Sequence, residues 1–237
     1  MLILAILVLS CIMGFSVLIG VFIAFKYKID YKILALLVGF VVGIFAGLIF
    51  FKLLPIWEGV QYFFYHLPWF LIGIVIFWII DRAILNQIFL STDSKIDISF
   101  VLIIAIILDD LIEGFTLAVT GLFSVALILI FFFVIFFQNI IEGIVEGYEE
   151  LEEEWSKKQI IYINLVAAIA PIIAASIGLS IFSEVNETYL NISLAFFAGT
   201  IFYINFFNLA KKLEWNTREI IGCIFGIVLL MIISLYL

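Results

Sequence analysis

Asp109-Asp110-Leu111-Ile112-Glu113-Gly114 and Gln138-Asn139-Ile140-Ile141-Glu142-Gly143 place clustered carboxylates and amides in the middle of two long apolar runs, 98–120 and 124–147. Runs of this length cross the hydrocarbon core of a bilayer as helices. A charged side chain at the bilayer centre costs roughly 2.5–3.5 kcal/mol on insertion scales. Neither run contains a Lys or Arg to offset Asp109, Asp110, Glu113 and Glu142. Protons or metal cations are the candidates for neutralising them.

Outward from these blocks the chain keeps the same character: 237 residues, 67% hydrophobic and 13% charged, with a mean hydropathy of +1.36. Soluble domains lie far from these values. The sequence predicts an all-α integral membrane protein, a single transmembrane domain over 1–237. Eight spans are expected, at about 2–25, 33–54, 67–85, 98–120, 124–147, 159–182, 189–209 and 218–237. The run from Leu2 lacks a basic leader and is too long for a signal-peptide core, so it reads as a retained first helix.

The net charge of −8 describes local sites: Glu149, Glu150, Glu152, Glu153 and Glu154 carry much of it, and the intramembrane carboxylates most of the rest. The acidic run reads as a solvated helix end or a disordered charge cluster. A nucleic-acid partner would need a basic stripe, and the sequence has none. Cys11 and Cys223 fall inside apolar runs and read as small buried hydrophobes. His66 falls in an external loop beside Pro68 and Trp69 and reads as an interface residue.

Lys26, Lys28, Lys32, Arg82, Lys95, Lys157, Lys158, Lys211, Lys212 and Arg218 all lie in the first, third, fifth or seventh connection, and Lys52 alone departs from the pattern. Basic loops are retained in the cytoplasm, so both termini are expected outside. The fourth and fifth helices, joined by a very tight turn near Thr120 to Ser124, are then antiparallel neighbours. Their similar blocks face one another about an approximate two-fold axis in the membrane plane.

Positions three and four apart share a helix face. Glu113 therefore lies beneath Asp109 and Asp110, and Glu142 beneath Gln138 and Asn139. Asp109, Glu113, Gln138 and Glu142 form one candidate cation site; Asp110 and Asn139 with the same two glutamates form a second. The four carboxylates sum to −4, which two divalent ions would offset, and binding would be linked to proton release. Glu146, one turn further, is a candidate exit relay.

These residues resemble the ZIP (Zrt/Irt-like) family of divalent-metal transporters, especially its bacterial members. There the fourth and fifth helices carry His-Asn-x-Pro-Glu-Gly and Gln-Asn-Ile-Pro-Glu-Gly type motifs around a two-metal site. Gln138 to Gly143 matches the second at five of six places, and Asp109 and Asp110 stand where the first has His and Asn. Gly39 to Gly43 through Leu53-Leu54-Pro55, Phe77-Trp78-Ile79-Ile80-Asp81-Arg82, and Ala198-Gly199-Thr200 with Tyr203 are similar to further family segments. The resemblance implies a ZIP-like bundle with external termini and a metal-transport role. Four departures stand out: Ile112 and Ile141 replace the motif prolines, Ala170 stands before Pro171 where a Glu is usual, and Asn208 stands where the seventh helix usually has Glu.

With Asp109 in place of His the candidate ligands are all oxygen donors or amides, a harder set that favours Mn²⁺ or Fe²⁺ without excluding Zn²⁺. The leading expectation is a permease of the cell membrane, multi-pass, carrying zinc, iron or manganese-like ions into the cytoplasm by alternating access. It would have no enzymatic activity and no cofactor beyond the transported metal. Its partners would be divalent metal ions and the lipid bilayer, with a homodimer left open. Gly39, Gly43, Gly47, Ala174, Ala175 and Gly178 would serve either sliding contacts or simple packing. A second expectation is a non-transporting ZIP-fold protein whose carboxylates serve helix association. An intramembrane hydrolase is disfavoured, because no Ser/Lys or His-Glu-x-x-His arrangement is present.

Overall fold

The computed structural model describes residues 2–27, 29–54, 59–90, 95–152, 154–206 and 216–236, with the side chains of 31, 84–90 and 95–106 outside the description. Lys28, Pro55, Glu153, Asn208, Lys211 and Lys212, singled out above, lie outside the described residues. The described chain is helical throughout: α1 (Leu2–Lys26), α2 (Tyr31–Leu48) continued by a π-helical turn (Ile49–Leu53), α3 (Val60–Leu90), α4 (Lys95–Phe123), α5 (Val125–Glu152), α6 (Lys157–Ala167), α7 (Ala170–Phe182), α8 (Glu187–Ile204) and α9 (Thr217–Tyr236). In lipid every backbone polar group must be satisfied internally, and an apolar chain does this most simply as helices. Capping residues begin several of them. The Asp30 carboxylate accepts from the Lys32 amide at 3.0 Å, Ser156 and Gln159 form a reciprocal capping box, and Asn186 Oδ1 accepts from the Tyr189 amide at 3.2 Å.

Among the described residues six segments are long and apolar enough to cross a membrane: Leu2–Lys26, Lys32–Leu53, Val60–Ala83, Val125–Glu152, Lys157–Phe182 and Thr217–Tyr236. The other two expected spans correspond to α4, which carries Asp109, Asp110 and Glu113 at its middle, and α8, which opens on Glu187. The third helix begins at Val60 rather than near 67, so His66 is not in a loop. It is buried in α3 and its Nδ1 lies 2.9 Å from the Tyr62 carbonyl oxygen. Pro68 is taken into the helix at the cost of one backbone bond. The sixth span is broken at Ala168–Ile169, just before Pro171, whose missing N–H prevents a continuous ladder. By contrast α4 and α5 run unbroken through Ile112 and Ile141, as expected where proline is absent.

The tightest helix pairs are α1 with α5, α2 with α9, α3 with α8, and α4 with α7. Glycines set them. Gly39 and Gly43 lie against the backbone of Glu219 and Cys223, while Gly222 and Gly226 lie against the carbonyls of Leu36 and Phe40. This reciprocal small-xxx-small seam lets two backbones touch. The same order along both members makes all four pairs parallel: Met13, Val17 and Ala24 on α1 meet Asn139, Gly143 and Gly147 on α5. It also puts Leu2 and Tyr236 at the end of the bundle where α4 turns into α5. Gly39, Gly43 and Gly47 are thus packed into α9, and Ala174 and Gly178 into α4. These are close-packed seams.

Helices α1, α4, α5, α6 and α7 pack on one another, and the α2–α9 and α3–α8 pairs flank them, joined to them mainly by α2 against α5 and α4 against α8. The outward faces are apolar, with Trp69, Ile72, Val75 and Trp78 on α3 and Ile220, Ile224 and Phe225 on α9 exposed. Such extensive exposed apolar surface suits lipid.

Candidate metal centre

Only Ser124 separates α4 from α5. Its amide donates to the Thr120 carbonyl at 2.9 Å, closing α4, and its carbonyl accepts from Ile128 at 3.0 Å, opening α5. The tight reversal brings the two motif blocks to one level: Glu142 lies within electrostatic reach of Asp109, Asp110 and Glu113.

Within it the groups differ in environment. Glu113, Gln138 and Asn139 are 3%, 1% and 3% exposed, whereas Asp109, Asp110, Glu142 and Glu146 are half-buried. Gln138 Nε2 donates to Glu142 Oε2 at 3.2 Å, the expected one-turn pairing. Asn139 Nδ2 donates to the Met13 carbonyl at 3.2 Å, and the Asn139 side chain is also within hydrogen-bonding reach of Glu113. Two acceptors are orphaned: Glu113 Oε2 and Gln138 Oε1 are buried and accept no hydrogen bond. Buried oxygen atoms without donors are costly, and a proton or a cation would relieve that cost. The donor set, four carboxylates with amide oxygens, is the chemistry of hard divalent ions.

The carboxylates share a region without being drawn into a closed coordination shell: among the described residues no three His, Cys, Asp or Glu side chains converge as a metal-holding cluster. Mutual repulsion of like charges in an apolar surround opposes such convergence. Ala170 opens α7 beside Pro171 and brings no ligand to the region.

The tertiary structure adds walls that the motifs do not announce. Gly143 presses on the Val17 carbonyl of α1, Gly114 on the Pro171 carbonyl of α7, and Gly14 on the Ala168 carbonyl. Each motif glycine thus fixes its helix against a neighbour, one residue after the glutamate it positions. The Met13 carbonyl, which accepts from Asn139, also belongs to this layer. A helix-packing glycine next to a ligand was legible in principle from the spacing; its partner helix was not.

The acidic run is not uniformly solvated. Glu149, Glu152 and Glu154 are exposed, but Glu150 is 4% exposed at the end of α5.

A family model described as the ZIP zinc transporter matches residues 90–234, which is more than half of the chain and includes both motif blocks. The chain belongs to the ZIP family. This membership makes it a multi-pass membrane protein of a family that transports divalent metals. Among curated proteins no match is found.

Proposed function

We propose that this ZIP-family chain is a divalent-cation permease of the cell membrane, moving Mn²⁺, Fe²⁺ or Zn²⁺ toward the cytoplasm through the carboxylate layer of α4 and α5. The observation that carries this reading is the buried pair of orphaned acceptors, Glu113 Oε2 and Gln138 Oε1, in a bundle where Asp109, Asp110 and Glu142 add further negative charge. Asp109, Glu113, Gln138 and Glu142 would form the main site, with Asp110 and Asn139 contributing to a second position and Glu146 to the exit.

The chain would cross the membrane eight times, with α6 and α7 forming one broken span and α4 and α8 completing the set. Basic connections would hold the Lys26, Arg82 and Lys157 end in the cytoplasm. Burial along α4 supports a direction of access. Residues 116–121 are buried, while 107–112 on the cytoplasmic side are half-exposed, so the site in this conformation opens inward. Alternating access then requires the helices that carry the site, α4 and α5 with the α1 and α7 that pack most tightly on them, to move relative to the flanking α2–α9 and α3–α8 pairs.

The test is metal flux into proteoliposomes. Wild type should carry Mn²⁺ or Zn²⁺, and Glu113→Gln and Glu142→Gln should fold but carry little. Absence of flux in the wild type would sink the permease. The second reading, carboxylates as helix-association groups, draws support from the Asn139 bond to Met13 and from the open arrangement of the carboxylates. It expects no flux and loss of folded protein in the same variants.

A further inference from the structure

Two asparagines outside both motif blocks, Asn164 and Asn205, are buried with an orphaned side-chain oxygen, and Asn164 is the one on α6, which packs against α1 and α4. Asn164 on α6 is 1% exposed; its Nδ2 donates to the Ile160 carbonyl at 3.0 Å, and its Oδ1 is buried with no hydrogen-bond partner. The bond to Ile160 is internal to the helix, so Asn164 ties no second helix through that group. Helix association does not account for an asparagine used this way.

Its position follows from α1, used as a ruler. Met13 meets Asn139, Gly14 meets Ala168, and Val17 meets Gly143. Asn164 lies one turn before Ala168 on the same face of α6, which places it at the level of Val17 and Gly143, between Glu142 and Glu146. On α4, Asp110 lies one turn before Gly114, which packs on Pro171 of α7; Asp110 therefore shares the stripe that faces the α6–α7 segment. Helical side chains lean toward their own N-terminus. Those of Asp110 and Asn164 lean toward the cytoplasmic end and that of Glu146, on the oppositely directed α5, leans back to meet them. Asp110 and Glu146 are within electrostatic reach of one another.

We propose that Asp110, Glu146 and the Asn164 amide oxygen form an exit-side cation position, one helical turn cytoplasmic of the Glu113–Gln138–Glu142 layer. It rests on the permease reading above. Two carboxylates balance the charge of one divalent ion, and the amide oxygen supplies a neutral hard ligand that needs no deprotonation. The half-exposure of Asp110 and Glu146 leaves water to complete the coordination. An ion leaving the buried layer would then step to a ligand set open to the cytoplasm without crossing bare apolar wall.

The experiment compares wild type, Asn164→Leu and Asn164→Asp as full-length protein, by Mn²⁺ flux in proteoliposomes and by the shift in unfolding temperature that Mn²⁺ produces. Leu keeps the shape and removes the oxygen; Asp keeps the oxygen and adds charge. Asn164→Leu should lose flux by about tenfold and show a smaller Mn²⁺-induced shift, whereas Asn164→Asp should keep flux and show a larger shift than wild type. A wild type that carries Mn²⁺, beside an Asn164→Leu variant with unchanged flux and unchanged shift, overturns the exit position and leaves the permease standing. A wild type without flux overturns both. Should Asn164→Leu fail to fold, an Asn164→Asp protein whose Mn²⁺-induced shift is no larger than wild type overturns the proposal by itself.

Discussion

Replacing Gly143 with Ala tests whether the motif glycine is a packing element. The α1–α5 seam contains its own control one turn away. At Gly143 an added Cβ would strike the Val17 carbonyl oxygen and lie 3.0 Å from the carbonyl carbon. At Gly147 the nearest atom would be the Ala24 methyl, at 3.0 Å. A carbonyl in a helix ladder cannot turn aside, so at Gly143 the two helices must separate; at Gly147 a methyl contact needs only a few tenths of an ångström. Both substitutions gain about 1 kcal/mol in helix propensity over Gly. Only Gly143→Ala adds the full overpacking cost of about 1–3 kcal/mol. The difference between the variants is therefore about 1–3 kcal/mol, or about 2–12 °C in unfolding temperature at 2–4 °C per kcal/mol for a chain of this size. Purified variants in the same detergent, followed by thermal unfolding, give the comparison directly. Gly143→Ala should also weaken Mn²⁺-induced stabilisation, because α5 carries Gln138 and Glu142 away from Glu113. Equal stability of the two variants would refute the seam as the reason for the motif glycine.

Tyr148 accepts a hydrogen bond from the Ile29 amide at 2.7 Å and donates to the Tyr27 carbonyl, clamping the α1–α2 connection onto α5. Tyr148→Phe should cost about 1 kcal/mol and speed hydrogen exchange at Ile29, while metal binding is retained; unchanged exchange would remove the clamp. Asp109→His introduces a softer nitrogen ligand. The preference for Zn²⁺ over Mn²⁺ should rise on the order of tenfold, about 1.4 kcal/mol, in competition binding. A selectivity order untouched by the change would refute the argument from ligand hardness.

Much of this protein is legible in its residues because lipid imposes simple rules. Apolar length marks Leu2–Lys26 or Thr217–Tyr236 as membrane helices, and Asp109, Asp110, Glu113 and Glu142 in runs without a Lys or Arg stand out by cost alone. Ser124 as a one-residue reversal makes α4 and α5 adjacent, and one-turn spacing foretells the Gln138–Glu142 bond. The start of α3 was harder to read: Tyr62, Phe63 and Tyr65 resemble an interfacial loop, and Pro68 resembles a boundary, yet a helix already begun absorbs one missing N–H.

Composition and spacing suffice for the class of protein, for most of its helices and for the residues that carry charge into apolar runs, since each follows from the cost of a side chain in hydrocarbon. Packing between helices is what brings α1 and the α6–α7 segment against α4 and α5, ties Asn139 to Met13, buries Glu150 and leaves the Asn164 amide oxygen buried without a hydrogen-bond partner. The physical reason is that a membrane helix is apolar on its lipid face and its protein face alike, so hydropathy does not reveal which face meets a neighbour. That choice is made by where small residues let two backbones touch, and it depends on both helices at once.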